Sequence, residues 1–111
     1  MLRLWRAFGY SLEGLRCALT QGAFRLELVL AAVLIPLAWW LDVDKIERLW
    51  LVGSVFLVVI VELLNSAVEA AIDRISVERH PLSKQAKDLG SAAVMMAVVH
   101  AMIAWGVVLW P

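Results

Sequence analysis

Apolar and polar positions alternate with helical spacing in the first twenty residues of this chain. Over residues 2–20 apolar side chains recur every three or four positions, which predicts an amphipathic helix. The apolar face holds Trp5, Phe8, Leu12, Leu15 and Leu19. Arginines on the other face favour a helix that lies along a membrane surface, with a soluble surface helix as the alternative. Because Arg3 and Arg6 interrupt any apolar run here, we expect no cleaved signal peptide.

Three longer apolar runs follow, at about 24–41, 49–72 and 89–110. Each has close to the ~20 residues that a membrane-spanning helix needs. A short turn (42–48) and a charged loop (73–88) separate them. We expect the loop to break at Pro81 and a new helix, which carries Lys87 and Asp88, to begin there. The pattern therefore predicts one all-α membrane domain over 1–111, with a surface helix and three transmembrane helices.

Composition and charge support a membrane location. Hydrophobic residues make up 63% of the chain, against roughly 45–50% in soluble domains. Ten basic and ten acidic residues balance, which argues against a nucleic-acid partner, and the one cysteine excludes an intramolecular disulfide. Eight of the ten basic residues lie on the side of the N-terminus and the 73–88 loop. The positive-inside rule then places that side in the cytoplasm and the C-terminus outside.

The second apolar run ends in VELLNSAVEAAIDR (61–74), which carries polar residues at helical spacing. Glu62, Asn65, Glu69 and Asp73 fall within ~80° of one another on a helix, in a stripe about 16 Å long. A carboxylate at bilayer depth costs at least ~2.5–3.5 kcal/mol, so it should face a partner, a cavity or a metal. Asn65 alone is explained equally well by an interhelical hydrogen bond. We interpret Glu62 and Glu69 as functional.

Acidic groups at the membrane face, with cations nearby and no cysteine or histidine cluster, suit phosphoryl transfer. The 73–88 loop supplies the complementary charges, although a solvated, positive-inside loop explains the same composition. A non-enzymatic oligomer whose carboxylates line an ion pathway is the alternative function. His100 is isolated in the third run, and we expect it to pack against a neighbouring helix.

The segments VELLNSAVEAAIDR and ERHPLSKQAKDLGSAAV (78–94) together resemble the signature of the prokaryotic membrane-integral diacylglycerol kinases, whose close relatives are the undecaprenol kinases. RLWRAFGYSLEGLR (3–16), AFRLE (23–27) and WLDVDKIER (40–48) extend the likeness over nearly the whole chain. The resemblance implies a homotrimer in the bacterial cytoplasmic membrane, with active sites shared between subunits. It implies transfer of the γ-phosphate of MgATP to the hydroxyl of a lipid. GSAAV is similar to the diacylglycerol branch and HPLS to the undecaprenol branch, which leaves both acceptors open.

The resemblance also implies roles for individual residues. Glu62 matches the general base and Glu69 a ligand of the Mg²⁺ that accompanies ATP, while Asn65 and Asp73 match residues that line the site. Positions that match ATP contacts are Arg3, Tyr10, Glu69, Glu78, Arg79, His80, Lys87 and Asp88. Positions that match the lipid substrate or its access path are Arg3, Arg16, Ala23, Phe24, Arg25, Glu27, Trp40, Asp42, Arg48, Glu62, Ser91 and Trp105.

The chain departs from the family pattern just before the first apolar run. Members commonly have a second acidic metal ligand there, whereas this chain reads TQGAFRLE (20–27). Gln21 is the candidate replacement, since its carbonyl oxygen is a possible but weaker ligand for Mg²⁺. Glu27 and Glu13 are the alternatives.

Overall fold

Four α-helices make up the fold. The structure, a computed structural model, describes residues 2–75 and 78–111, and of Ala23 it describes the backbone only. The described residues form α1 (Leu2–Ala18), α2 (Gly22–Trp40), α3 (Lys45–Ile75) and α4 (Pro81–Leu109), and they contain no strand. The prediction of an all-α chain is confirmed.

Capping residues decide where α3 and α4 begin. The amide of Glu47 donates to Asp44 Oδ1 at 2.8 Å and the amide of Asp44 donates to Glu47 Oε1 at 3.3 Å, a reciprocal pair that satisfies the first turn of α3. At α4 the amide of Leu82 donates to His80 Nδ1 at 3.1 Å, and Pro81 needs no amide hydrogen at the first helical position. The predicted restart of the helix at Pro81 is therefore confirmed.

Several predicted helix ends differ from those observed. α1 ends at Ala18 rather than near residue 20, and α2 begins two residues before the predicted span 24–41. α3 extends beyond the apolar run 49–72 at both ends, and α4 begins at the predicted Pro81, so it includes polar turns before the apolar run that starts at 89. Hydropathy marks only the apolar part of a helix, whereas capped polar turns continue beyond that part.

The helices α3 and α4 are both long and apolar enough to cross a membrane. α3 packs most extensively on α4 and also packs on α2. The α3–α4 pair is antiparallel, because residues late in α3 meet residues early in α4. These contacts join Asp73 to Lys87, Asn65 to Gly90 and Trp50 to His100. The last of them confirms that His100 packs against a neighbouring helix.

The buried core is small. Its hydrophobic members are Ala18, Phe24, Ala31, Ala38, Leu51, Val55 and Ala97. Most large apolar side chains are exposed instead; Trp40, for example, is 82% exposed. Because apolar surface is stable only in apolar surroundings, this exposure and the two spanning-type helices indicate a membrane protein.

Candidate active site

The polar stripe that the sequence predicts runs along the C-terminal half of α3, which we predict to lie nearer the cytoplasm. Glu62 and Asn65 are half-buried, whereas Glu69 and Asp73 nearer the end of the helix are exposed. Asn65 Nδ2 donates a hydrogen bond to Glu69 Oε1 at 3.3 Å. The stripe therefore leads from the packed part of the bundle to the polar end of α3.

The first turns of α4 bring cations to this end. Lys87 Nζ donates to Asp73 Oδ1 at 3.0 Å, which ties the two helices together beside the stripe. Both side chains are largely solvated, so the ion pair itself contributes at most about 1 kcal/mol. Lys84 Nζ lies 2.6 Å from Asp88 Oδ2, in the polar turns that precede the apolar part of α4. The hydrogen bond and the charge of Asp88 raise the pKa of Lys84.

A cavity of about 750 Å³ opens between the end of α3 and the start of α4. It lies within the size range of small-molecule sites, roughly 300–1,000 Å³. Six of the residues predicted from the sequence line it: Asp73, Glu78, Arg79, His80, Lys87 and Asp88. The lining of this charged cavity holds three cations (Arg79, Lys84 and Lys87) and three carboxylates (Asp73, Glu78 and Asp88), and each lysine is paired with a carboxylate. Its arginine and lysine side chains are donors of the kind that phosphate oxygens accept from.

Three of the predicted ATP contacts, Arg3, Tyr10 and Glu69, are not among the described residues that line the charged cavity. Arg3 and Tyr10 are exposed on α1. One chain therefore brings together the predicted ATP contacts of residues 78–88, whereas Glu69 of α3 and the two α1 residues lie outside the lining of the cavity.

The turn between α1 and α2 reaches the polar stripe. Ser66 Oγ donates to Gln21 Oε1 at 3.2 Å, so Gln21 lies beside the stripe, one helical turn from Glu69. Arg25 Nε donates to the carbonyl of Leu19 and helps to close this turn. Gln21 thus contacts α3 at Ser66, and its role as the replacement for the missing acidic residue stays a prediction.

A divalent cation bound with ATP fits these groups. Mg²⁺ in nucleotide sites is held by one or two carboxylates together with the phosphates and several waters. Glu69 supplies one exposed carboxylate and Gln21 a neighbouring amide. Within residues 2–75 and 78–111, no three His, Cys, Asp or Glu side chains cluster as a complete protein cage for a metal.

A second, apolar cavity of about 430 Å³ lies between α2, α3 and α4. Its lining includes Glu27 of α2 and Trp105 of α4, two positions that the resemblance connects with lipid. The Glu27 side chain also lies within hydrogen-bonding reach of Glu62. Glu27 therefore connects the lining of the apolar cavity with Glu62, the carboxylate of the stripe that lies farthest from the end of α3.

Other predicted lipid contacts are scattered. Arg16 and Ser91 are exposed, Phe24 is buried, and the side chain of Ala23 is outside the described part of the chain.

Trp40, Asp42 and Arg48 lie at the opposite end of α3 from the charged cavity. There Arg48 Nε donates to the carbonyl of Ala38 at 3.2 Å, and Nη2 donates to the carbonyls of Leu41 and Val43 at 3.1 and 3.2 Å. The guanidinium donors of Arg48 are thus used in closing the α2–α3 turn.

Two contacts of the site were not predicted. One is the hydrogen bond between Ser66 and Gln21. The other is the close approach of Asn65 to Gly90. The small residues GSAA (90–93) indicated a close approach of α4, but the sequence did not indicate which polar group would meet the glycine.

Comparisons with known proteins extend the likeness to the whole chain. The family model of the prokaryotic diacylglycerol kinases matches residues 9–109. A diacylglycerol kinase from Escherichia coli strain K12 is 52% identical over 109 residues, covering 97% of this chain and 89% of that protein. A diacylglycerol kinase from Pseudomonas aeruginosa is 49% identical over 108 residues, covering 96% of this chain and 88% of that protein. One from Helicobacter pylori is 43% identical over 105 residues, covering 94% of this chain and 82% of that protein.

Proposed function

Because this chain belongs to the prokaryotic diacylglycerol kinase family, we propose that it transfers the γ-phosphate of ATP to the hydroxyl of diacylglycerol and forms phosphatidic acid. The chain is a kinase, and its relatives are named for diacylglycerol rather than undecaprenol. The observation that carries the proposal is the position of the half-buried Glu62 on α3. It contacts Glu27, which lines the apolar cavity, and the charged cavity lies at the end of the same helix.

In this mechanism Glu62 is the general base. It accepts the proton of the lipid hydroxyl, the hydroxyl oxygen attacks the γ-phosphorus, and ADP leaves. Lys87 and Arg79 hold the phosphates by charge-assisted hydrogen bonds. Asn65 and Asp73 line the path between the two reactants, since they lie on the same face of α3 as Glu62.

Glu69 would hold the Mg²⁺ that accompanies ATP, with Gln21 as a weaker second ligand. When bound, the ion neutralises charge on the polyphosphate. Asp88, Glu78 and His80 complete the nucleotide site. Arg3 and Tyr10 of α1 reach ATP in an assembly of several chains, which is consistent with their distance from the charged cavity of one chain.

We propose that the single domain 1–111 crosses the membrane three times, with α2 as the additional span. α1 lies on the cytoplasmic surface, where its exposed Trp5 and Phe8 enter the headgroup layer. The N-terminus and the 73–88 loop face the cytoplasm, as the distribution of basic residues favours. Three copies form a homotrimer and cover part of the apolar surface that one chain leaves exposed.

The lipid reaches Glu62 from the bilayer along α2 and α4. Glu27 and Trp105 are the positions on this route that line the apolar cavity. Phe24, Arg25 and Ser91 lie closer to the cytoplasmic ends of these helices, at the level of the headgroups. Arg16, at the end of α1, is also at headgroup level.

The proposal is tested by ATP-dependent phosphorylation of diacylglycerol in mixed micelles. Wild type is compared with Glu62→Gln, which keeps the shape of the side chain and removes the base. We expect the variant to lose at least about 100-fold in kcat, the usual contribution of a general base. Unchanged activity in Glu62→Gln would remove Glu62 from this role. Undecaprenol added as a competing acceptor tests the lipid, because a strong preference for it would contradict the assignment of diacylglycerol.

A further inference from the structure

Gly90 occupies the point where α4 comes closest to the polar stripe. A Cβ atom built on Gly90 would lie 2.1 Å from Asn65 Oδ1, 3.2 Å from Asn65 Cγ and 3.9 Å from Asn65 Cβ. The first distance is far below van der Waals contact, so no residue with a side chain fits at Gly90 while the Asn65 amide stays in place. The amide oxygen of Asn65 is buried and has no hydrogen-bond partner among the described residues. The amide is therefore held between two helices by packing.

This close approach distinguishes Gly90 from the other glycines of the chain. A Cβ atom added to Gly53 in α3 or to Gly106 in α4 would meet no atom within 4 Å. Gly90 also has a helical backbone rather than a positive φ. The requirement for glycine at this position comes from the space that Asn65 occupies and not from backbone conformation.

The other end of the Asn65 amide reaches the candidate metal ligand. Asn65 Nδ2 donates to Glu69 Oε1 at 3.3 Å, and this is the one hydrogen bond that Glu69 receives within the described chain. Glu69 is exposed, so without this bond its carboxylate is free to rotate among several rotamers. The orientation of Glu69 therefore depends on where α4 permits the Asn65 amide to lie.

We propose that Gly90 is a positioning residue, which acts on the Glu69 carboxylate through Asn65. The absence of a side chain at Gly90 creates the space for the Asn65 amide, and the amide orients Glu69 towards the ion that accompanies ATP. This inference rests on the proposed function in one respect, namely that Glu69 binds the metal. Partners of this kind, which orient a metal ligand, typically change metal affinity by about 10–100-fold when they are lost.

The steric relation makes a specific prediction for pairs of substitutions. Gly90→Ala drives the Asn65 amide away from α4 and breaks its bond to Glu69. Asn65→Ala loses the same bond by a different route. In Asn65→Ala/Gly90→Ala the two Cβ atoms are 3.9 Å apart, an ordinary contact. The double variant should therefore resemble Asn65→Ala, and the two effects should not add.

The test measures the binding of Mn²⁺, as a substitute for Mg²⁺, to the purified full chain in micelles with a non-hydrolysable ATP analogue. Free Mn²⁺ is followed by electron paramagnetic resonance, and kcat and KM for diacylglycerol are measured in parallel. We expect Gly90→Ala, Asn65→Ala and the double variant to weaken Mn²⁺ binding by a similar factor of about 10–100. In Gly90→Ala, which keeps the Asn65 side chain, KM for the lipid should be unchanged. Gly106→Ala, the matched control in the same helix, should bind Mn²⁺ as wild type does.

Glu69→Gln separates the inference from the function on which it rests. If Glu69→Gln binds Mn²⁺ as tightly as wild type, the proposed metal role of Glu69 fails. If Glu69→Gln weakens binding and Gly90→Ala does not, Gly90 has no positioning role and the inference is overturned. If Gly90→Ala does not fold, the inference requires that the double variant folds and that Asn65→Ala shows the full loss. Failure of either requirement also overturns it.

Discussion

Replacement of Arg48 by methionine should destabilise the turn between α2 and α3. The guanidinium donates hydrogen bonds to the carbonyls of Ala38, Leu41 and Val43 at 3.1–3.2 Å. It also lies 5.4 Å from the centre of the Trp39 ring. The carbonyls at the end of a helix have no partners within that helix. The carbonyl of Leu41 also accepts from the amide of Val43 at 3.0 Å, so the contribution of Arg48 rests mainly on the carbonyls of Ala38 and Val43.

The size of the effect follows from these contacts. Hydrogen bonds from a charged donor contribute about 1.5–3 kcal/mol each in favourable cases. The three bonds share one half-buried guanidinium, and water or headgroups can replace part of them. We therefore expect Arg48→Met to lower the free energy of unfolding by about 3 kcal/mol, below the roughly 4.5–9 kcal/mol that three independent bonds of this kind would give.

Unfolding of the purified protein in mixed micelles with increasing dodecyl sulfate, followed by circular dichroism, measures this change. Arg48→Lys keeps the charge but not the fork of donors, so it should recover less than half of the loss. Lys45→Met is the matched control, because Lys45 is exposed and makes no hydrogen bond or ion pair within the described chain. Its free energy of unfolding should stay within about 0.5 kcal/mol of wild type.

KM for the lipid should not change in Arg48→Met, since Arg48 lies about 21 Å from Glu62 along the axis of α3. The opposite result, an unchanged free energy of unfolding with a raised KM for diacylglycerol, would refute this reasoning. It would show that Arg48 acts on the lipid, as the resemblance to the family implies, and that its contacts with the carbonyls contribute little.

Two further predictions concern the charged cavity and the α1–α2 turn. Lys87→Met should raise KM for ATP by about tenfold or more, because a charged contact with phosphate is lost, and it should leave KM for the lipid unchanged. Both constants are measured by the release of ADP. An unchanged KM for ATP would remove Lys87 from the nucleotide site. Gln21→Glu should lower the Mg²⁺ concentration needed for half-maximal activity, because it restores a carboxylate beside Ser66. If the Mg²⁺ dependence does not shift, a different residue provides the second ligand.

The helices and the polar stripe could be predicted from the sequence because both depend on local spacing. Glu62, Asn65, Glu69 and Asp73 lie on one face whatever surrounds α3, since helical geometry alone places them there. The new start at Pro81 follows from the missing amide hydrogen of proline. The true start of α3 was harder to predict, because hydropathy does not register the capped polar turn before an apolar run.

Contacts between helices could not be predicted in the same way. Gln21 is forty-five residues from Ser66 in sequence. Their hydrogen bond depends on the position of the α1–α2 turn relative to α3. The contact of Gly90 with Asn65 depends on the rotation of α4 about its own axis. One sequence contains no direct signal for either. The hydrogen bonds of Arg48 to the carbonyls of the α2–α3 turn could not be predicted either, because the sequence is equally compatible with a guanidinium that faces lipid.

The polar turns at the start of α4 have a consequence for the surrounding bilayer. Residues 81–88 add about 12 Å of helix before the apolar part begins. In the proposed topology the charged cavity therefore lies outside the hydrocarbon layer and Glu62 lies within it. The depth of Glu62 is fixed relative to that cavity by rigid helices, whereas the depth of a lipid hydroxyl is fixed by the bilayer. The two coincide only when the hydrocarbon thickness matches the apolar length of α3 and α4. Activity should therefore pass through a maximum as the acyl chains of the host lipid are lengthened, even though the substrate itself is unchanged.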